Sequence, residues 1–275
     1  MNSVATPAGS SFAALGRFFF RYRDALFPIV LLGLAALWRP SESAEARRTD
    51  LMYLGAGAAL ALTGQAFRVL VIGLSYITRG GQNLAAYAER LVQDGMFGHC
   101  RNPLYVGNTC IQVGVLLAVN EYWAYLIGLP FIALVYGSIV SSEEQFLVGR
   151  FGDDYRQYCA RVPRFALRLA SVRATLSRAP FDWLRVVRKD YGTPFAWISA
   201  MIAIGIYKEA RTVGFDVARP VIPSLLVIWT VSLVGYLTAR VLKKAGRLGS
   251  DTADTVVTRG ESPSRGDAAG RPSRP

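Results

Sequence analysis

The stretch LVQDGMFGHCRNPLYVGN, from Leu91 to Asn108, lies between two apolar segments and differs from both. It contains three glycines, one proline and the only histidine of the chain, His99. Glycine and proline at this density predict a tightly turning backbone, which enters a helix after Pro103. Polar, irregular backbone at a membrane boundary is tolerated where it is buried in protein or lines a polar cavity. We therefore expect the functional site in this stretch.

The composition is typical of a membrane protein with basic loops. Of the 275 residues 52% are hydrophobic, yet the formal net charge is +12. The basic residues flank apolar segments and form no aromatic-interleaved polar surface, so we expect no nucleic-acid partner. The three cysteines lack the spacing of a zinc site and there is one histidine, so we expect no metal.

Six apolar segments predict an all-α membrane helix bundle with about five or six spans, and the lipid bilayer as a partner. The segments are Phe18–Trp38, Leu51–Ile77, Leu104–Asn120, Tyr122–Val140, Thr193–Tyr207 and Val221–Leu242. Only Asn120 and Glu121 separate the third segment from the fourth. A connection this short predicts an antiparallel helical hairpin.

The composition divides the chain into four regions. Residues 1–50 hold an N-terminal membrane helix and a charged loop, and residues 51–165 hold the membrane core with the motifs. Residues 166–245 begin with a basic, apolar-interleaved segment, which predicts one or two interfacial helices or, alternatively, a basic cytoplasmic loop. Two membrane helices complete this region. Residues 246–275 contain too few large apolar residues to pack and are predicted to be disordered.

The distribution of Lys and Arg predicts the orientation. With both termini on one side, that side receives 24 of the 31 basic residues and the other side six, while Arg68 stays within the second span. Basic loops mark the cytoplasmic side. Both termini, the Leu91–Asn108 stretch and the segment after the fourth span are therefore predicted to be cytoplasmic.

Two spans carry polar side chains. Gln65 and Arg68 share one face of the second span, and Tyr105, Asn108 and Gln112 form a stripe along the third. Because arginine is costly in lipid, Arg68 is predicted to look into the protein or, alternatively, to reach the membrane interface. We expect the stripe to face the site, although amide side chains also join membrane helices.

A second motif, SSEEQFLVGRFGDDYRQYCARVPRF, follows the fourth span. Its adjacent Glu143 and Glu144 lie at a membrane boundary, where two carboxylates need cationic partners. Four residues at helical spacing predict an amphipathic helix packed against the bundle: Phe151, Tyr155, Tyr158 and Val162.

Together the two motifs resemble the membrane methyltransferases related to isoprenylcysteine carboxyl methyltransferase and phospholipid N-methyltransferases. The family pattern is roughly GxYxxxRHPxYxG, a helical hairpin, and then EExxLxxxFGxxYxxY. The first part is matched by Gly95, Arg101, Pro103, Tyr105 and Gly107. The second part is matched by Glu143, Glu144, Leu147, Phe151, Gly152, Tyr155 and Tyr158. The resemblance covers about residues 95–165, and Gly64 and Arg68 look like the family's glycine–arginine pair in the preceding helix.

The chain departs from this pattern at two positions. Phe97 replaces the usual tyrosine, and Asn102 stands where many relatives have histidine. His99 lies three residues too early to inherit that role directly. An asparagine can hydrogen-bond but cannot serve as a base near pH 7.

The resemblance implies S-adenosylmethionine as cofactor and a lipid-linked or small apolar methyl acceptor. This donor carries a sulfonium, an ammonium and a carboxylate, which call for carboxylates on one side and an arginine or backbone N–H groups on the other. The implied catalytic residues are Arg101, Asn102 and Glu144. The implied donor-binding residues are Gly95, Arg101, Asn102, Pro103, Leu104, Tyr105, Gly107, Glu143 and Glu144.

The sequence leaves alternatives open for both the acceptor group and the class of protein. A carboxylate or thiolate acceptor needs no general base, whereas an amine must lose a proton and no base is evident, which favours the first two. One alternative function is a sterol-type reductase with NADPH, whose phosphates suit Glu143 and Glu144 poorly. Another is a non-catalytic membrane scaffold, in which Arg101, Glu143 and Glu144 pair with one another.

Overall fold

The computed structural model describes residues 7–39, 43–74, 79–82, 85–88, 91–178, 181–214, 220 and 222–248. Within these residues the chain forms eight α-helices, one short hairpin and one 3-10 turn. The helices are α1 (Pro7–Ala36), α2 (Ala44–Leu74), α3 (Pro103–Val119), α4 (Tyr122–Arg161), α5 (Val172–Arg178), α6 (Trp183–Asp190), α7 (Gly192–Val213) and α8 (Ile222–Lys244). The hairpin pairs β1 (Arg79–Gln82) with β2 (Ala85–Ala88), and the 3-10 turn is Gly95–Gly98.

Among the described residues, each of the six apolar segments predicted from the sequence lies largely within a helix. By length and composition, α2, α4 and α8 are sufficient to cross a membrane, and α3 is a shorter apolar helix. Helix α8 exposes apolar side chains such as Val227 and Val231, as expected of a helix that faces lipid. The number of spans, five or six, stays a prediction.

In the described part of the chain one short hairpin accompanies the helices, and the prediction of a helical fold is confirmed. The sequence indicated only a polar connection between the second and third spans. In the structure Arg79 pairs with Ala88 and Gln82 with Ala85 in antiparallel register. Strand pairing of this kind provides hydrogen-bond partners for the backbone N–H and C=O groups of the connection, since these residues are not in a helix.

Helices α2 and α3 pack closely through glycines. A Cβ atom added at Gly64 would lie 2.6 Å from the carbonyl oxygen of Gly107, and Gly57 meets Gly114 in the same way. The seven-residue spacing in each helix repeats the contact on one face. This packing places the beginning of α3, and hence the Leu91–Asn108 stretch, beside the end of α2.

Helices α1 and α4 form the rest of the core. Phe27 of α1 packs against Phe131 and Tyr136 of α4. Helix α4 continues to Arg161 and is kinked at Gly152, whose φ of 54° favours glycine. After the fourth span a second buried cluster forms, which confirms the predicted amphipathic packing: Leu147, Tyr155, Tyr158 and Val162.

The basic region after α4 forms α5 and α6, in agreement with the prediction of one or two helices. In α6 the apolar Trp183 is 66% exposed, whereas the charged Arg188 and Asp190 are 7% and 3% exposed. An apolar outer face is stable against lipid and costly against water. This arrangement supports the predicted interfacial location, which itself stays a prediction.

Helix α7 extends beyond the apolar segment predicted to end at Tyr207. Lys208 lies within α7 and is buried at the end of α3 that is remote from Pro103. Its Nζ donates to Asp50 Oδ1 at 2.6 Å and to the carbonyl oxygen of Val119 at 3.1 Å. These bonds satisfy a carbonyl that the end of a helix leaves without an intrahelical partner.

The predicted disordered tail, residues 246–275, lies outside the described residues from position 249 onward. Leu248, which the sequence assigned to the tail, is 5% exposed. Its carbonyl oxygen accepts a hydrogen bond of 3.0 Å from Arg188 Nη1. The packed part of the chain therefore reaches at least to Leu248.

Candidate functional site

The Leu91–Asn108 stretch has the turning backbone that its glycines and proline predict. Gly95 adopts a φ of 60° at the start of the 3-10 turn, and Pro103 is the first residue of α3. The Tyr158 hydroxyl donates to the carbonyl oxygen of Phe97 at 2.7 Å. The two sequence motifs, which are separated by the helical hairpin, therefore meet in the fold.

An ion cluster joins the two motifs. Arg101 Nη1 lies 3.1 Å from Glu144 Oε1, and Arg164 Nη2 lies 2.9 Å from Glu144 Oε2. Burial by itself lowers the pKa of the Arg101 guanidinium, but the Glu144 carboxylate and Cys159 outweigh it and raise the pKa. The cluster brings together one carboxylate and two guanidinium groups that stay charged at neutral pH.

The segment after α4, residues 162–171, is held against the first motif by hydrogen bonds. Asn102 Nδ2 donates to the carbonyl oxygen of Arg164 at 3.1 Å, and the Arg101 N–H donates to that of Pro163 at 2.9 Å. His99 and Arg168 bond reciprocally, because His99 Nδ1 lies 2.9 Å from the Arg168 carbonyl oxygen and His99 accepts from the Arg168 N–H. Asn102 thus binds the Arg164 backbone directly, while Arg101 and His99 hold other residues of the same segment.

Both ring nitrogens of His99 have partners. Facing a carbonyl oxygen, Nδ1 must carry the proton, and Nε2 lies 2.8 Å from Thr175 Oγ1. His99 therefore anchors the segment of residues 162–175. It does not present a free nitrogen to the ion cluster.

Glu143 belongs to a different contact from Glu144. It accepts a hydrogen bond of 2.7 Å from the Tyr105 hydroxyl, which also lies 3.3 Å from Arg23 Nη1 of α1. The structure thus brings Arg101, Asn102 and Glu144 together and directs Glu143 and Tyr105 toward α1.

The remaining predicted donor-binding residues shape the beginning of α3. Leu104 packs against the cluster of Val71, Val92, Met96 and Phe97. Gly107 lies against Arg68, since a Cβ atom added there would be 2.6 Å from Arg68 Cγ.

The Arg68 side chain points into the protein, which is one of the two orientations that the sequence allowed. It forms a buried ion pair with Asp190, which also accepts from Gln65 Nε2 at 2.7 Å. Arg68 also donates to Asn108 Oδ1 of the α3 stripe and to Thr193 Oγ1 of α7. The polar stripe of α3 is therefore connected to α2 and α7.

An apolar cavity of about 330 Å³ lies between α1, α3 and α7. Gln112, the last residue of the polar stripe, lines it, together with Thr193, the partner of Arg68. Its apolar wall includes Phe27, Leu31, Ile111, Val115, Trp197 and Ile204. The stripe that begins beside the ion cluster thus ends at an apolar space between α1, α3 and α7.

Comparisons with known proteins assign the family. The phospholipid methyltransferase family model matches residues 53–154. The chain is similar to the cobalt-zinc-cadmium resistance protein CzcN of Cupriavidus metallidurans, with 32% identity over 177 residues, 62% of this chain and 75% of that protein. It is also similar to protein-S-isoprenylcysteine O-methyltransferase of Schizosaccharomyces pombe, with 32% identity over 73 residues, 26% of this chain and 31% of that enzyme. No solved structure matches.

The chain therefore belongs to the family of integral membrane methyltransferases that the two motifs resemble. Its match spans about a third of the Schizosaccharomyces pombe enzyme. Both motif regions up to Asp154 lie within the part matched by the family model, whereas Arg164, Asp190 and α7 lie beyond it.

Proposed function

We propose that the chain is an S-adenosylmethionine-dependent methyltransferase that methylates a lipid-linked or small apolar acceptor. The observation that carries this proposal is the pairing of Arg101 with Glu144 at the entrance of α3, in the part of the chain that the family model matches. Their side chains are 15% and 18% exposed, so they lie near the surface of the fold without being fully solvated.

The residues present fit the donor by their charges. Glu144 suits the ammonium group of the donor and Arg101 its carboxylate, because charge-assisted hydrogen bonds are the stronger ones at a partly buried site. The donor, when bound, supplies a methyl group already activated by its sulfonium. What the chain contributes is to hold the two reactants in line and to exclude water.

The scaffold alternative predicts the same pairing of Arg101 with Glu144, so the ion pair alone does not separate the two functions. Family membership favours the enzyme. A further polar atom supports it as well: in the described part of the chain, the buried Gln112 Oε1 beside the apolar cavity accepts no hydrogen bond. Buried acceptors of this kind are uncommon in a purely structural bundle.

The apolar cavity supports an acceptor with an apolar chain, since its size lies in the range of small-molecule sites. The acceptor group is proposed to be a carboxylate or a thiol. His99, the only imidazole, is bonded at both nitrogens and offers no base for deprotonating an amine.

The test is transfer of a radiolabelled methyl group from S-adenosylmethionine by the purified protein in lipid vesicles. We expect transfer to a prenylcysteine carboxylate and none to the amine of phosphatidylethanolamine. Filling the cavity with Ala203→Phe should raise the KM for the prenylated acceptor, whereas Val227→Phe on the exposed face of α8 should not. Methylation of the amine alone would overturn the acceptor class, and an equal KM for both variants would remove the cavity from the account.

A further inference from the structure

Arg164 was not among the site residues that the sequence indicated. It lies beyond the part of the chain that the family model matches, in the segment of residues 162–171. Its Nη2 contacts both Glu144 Oε2 at 2.9 Å and Ser141 Oγ at 2.8 Å. Asn102 fixes its backbone by donating to its carbonyl oxygen. Arg164 is therefore held in the ion cluster from both its side chain and its main chain.

The charges of the cluster do not balance. Glu144 contributes one negative charge and lies between Arg101 and Arg164, which leaves one net positive charge. A partly buried cluster with an excess of positive charge favours an anionic ligand. Glu144 flanked by two guanidinium groups also presents both signs of charge side by side, which complements the adjacent ammonium and carboxylate of an α-amino acid.

Within the described part of the chain, Arg164 also has an unused hydrogen-bond donor, its Nε–H group. Its Nε atom is buried, and among the described residues no acceptor bonds to it. A buried guanidinium N–H without an acceptor is costly, and a carboxylate is the group that a guanidinium binds best through two parallel hydrogen bonds. Both the charge excess and the unused N–H therefore point to a carboxylate ligand.

We propose that Arg164 is a second donor-binding arginine, which binds the carboxylate of S-adenosylmethionine beside Arg101. This inference rests on the proposed function, and it adds a residue supplied by the segment after α4. A role confined to folding predicts that Arg164 affects all ligands equally. A role in carboxylate binding predicts that its effect depends on whether the ligand carries a carboxylate.

The test is calorimetric titration of the full chain in detergent with two ligands. One is S-adenosylhomocysteine, and the other is S-adenosyl-3-thiopropylamine, which lacks only the carboxylate. Arg164→Gln should weaken binding of S-adenosylhomocysteine by roughly tenfold or more and leave binding of the thiopropylamine unchanged. Arg156→Gln, at an exposed arginine paired with Asp153, is the matched control and should bind both ligands like the wild type.

The other outcomes separate the explanations. An equal loss for both ligands would show that Arg164 only holds the fold, and tighter binding would show that it competes with the ligand for Glu144. Either result overturns the inference and leaves the proposed function intact. A wild type that binds neither ligand overturns both. Should Arg164→Gln fail to fold, Arg164→Lys, which keeps the charge and lacks the planar pair of donors, carries the same comparison.

Discussion

Arg68 of α2 and Asp190 at the end of α6 form a buried ion pair, although 122 positions separate them in the sequence. The pair ties the region after residue 165 to the methyltransferase core. It also offsets the free-energy cost of burying an arginine in the second span, because the guanidinium is paired with a carboxylate inside the protein.

Removing one member of this pair should destabilise the protein strongly. Asp190→Asn leaves Arg68 buried without its countercharge, at a cost of about 3–5 kcal/mol in the free energy of unfolding. Replacing both residues, with Arg68→Met and Asp190→Leu, should cost less than the single change. The measurement is thermal melting in detergent.

The exposed pair of Asp153 and Arg156 provides the control for that experiment. Asp153→Asn should change the free energy of unfolding by less than about 1 kcal/mol, since exposed ion pairs are worth little. If Asp190→Asn melts as the control does, the Arg68–Asp190 pair does not join the two regions.

The close approach of α2 and α3 predicts opposite effects for two glycines of one helix. Gly64→Ala places a Cβ atom 2.6 Å from the Gly107 carbonyl oxygen and should destabilise the protein by about 1–3 kcal/mol. Gly55→Ala meets no atom within 4 Å and should be neutral or stabilising by up to about 1 kcal/mol. Equal melting temperatures for the two variants would show that the helices have room to separate.

The orientation predicted from basic residues can be measured with reporter fusions. Fusions after Gly80, Ala166 and Gly249 should report a cytoplasmic location, and fusions at Glu45 and Asn120 an external one. An external signal at Ala166 would place the ion cluster on the side without soluble donor, and would contradict the proposed function.

The C-terminal boundary of the packed protein lies at Leu248 or later. Truncation after Ser250 should leave melting and ligand binding unchanged, because the residues beyond have too little apolar surface to pack. Truncation after Gly246 removes the Leu248 carbonyl that Arg188 binds and should lower the melting temperature. Equal stability of the two truncated chains would show that this contact is dispensable.

Much of this fold could be predicted from local patterns. Six long apolar segments indicated the helices, and glycine with Pro103 indicated the turn before α3. The pairing of Arg101 with Glu144 was within reach, because the two motifs flank a helical hairpin and a boundary carboxylate needs a cation.

Contacts that depend on distant parts of the chain could not be predicted. Nothing local in the sequence distinguishes Asp190 from the other acidic residues. Its pairing with Arg68 depends on how α6 packs against α2. The burial of Arg188 and Asp190 in α6 is likewise a consequence of tertiary packing, since the sequence shows only a basic, apolar-interleaved segment. Arg164 is one of ten basic residues between Arg150 and Lys189, and only its tertiary contacts with Glu144, Ser141 and Asn102 reveal its place.

Removal of the central carboxylate should weaken both donor binding and folding. Glu144 pairs with Arg101 and Arg164 without ligand, so Glu144→Gln should lower the melting temperature as well as the affinity for the donor. Melting alone therefore does not distinguish an enzyme from a scaffold. The matched comparison is Glu143→Gln. Glu143 directly precedes Glu144 in α4, but its carboxylate contacts Tyr105 of α3 and not the ion cluster.

The most direct test of the account is calorimetric titration of the purified wild-type protein with S-adenosylhomocysteine and, separately, with NADPH. We expect saturable binding of S-adenosylhomocysteine and none of NADPH, and a loss of affinity in Glu144→Gln of roughly 10- to 150-fold. Binding of NADPH instead would favour a reductase. A wild type that binds neither ligand, together with early melting of Glu144→Gln, would show that the ion cluster only packs helices and would contradict the account.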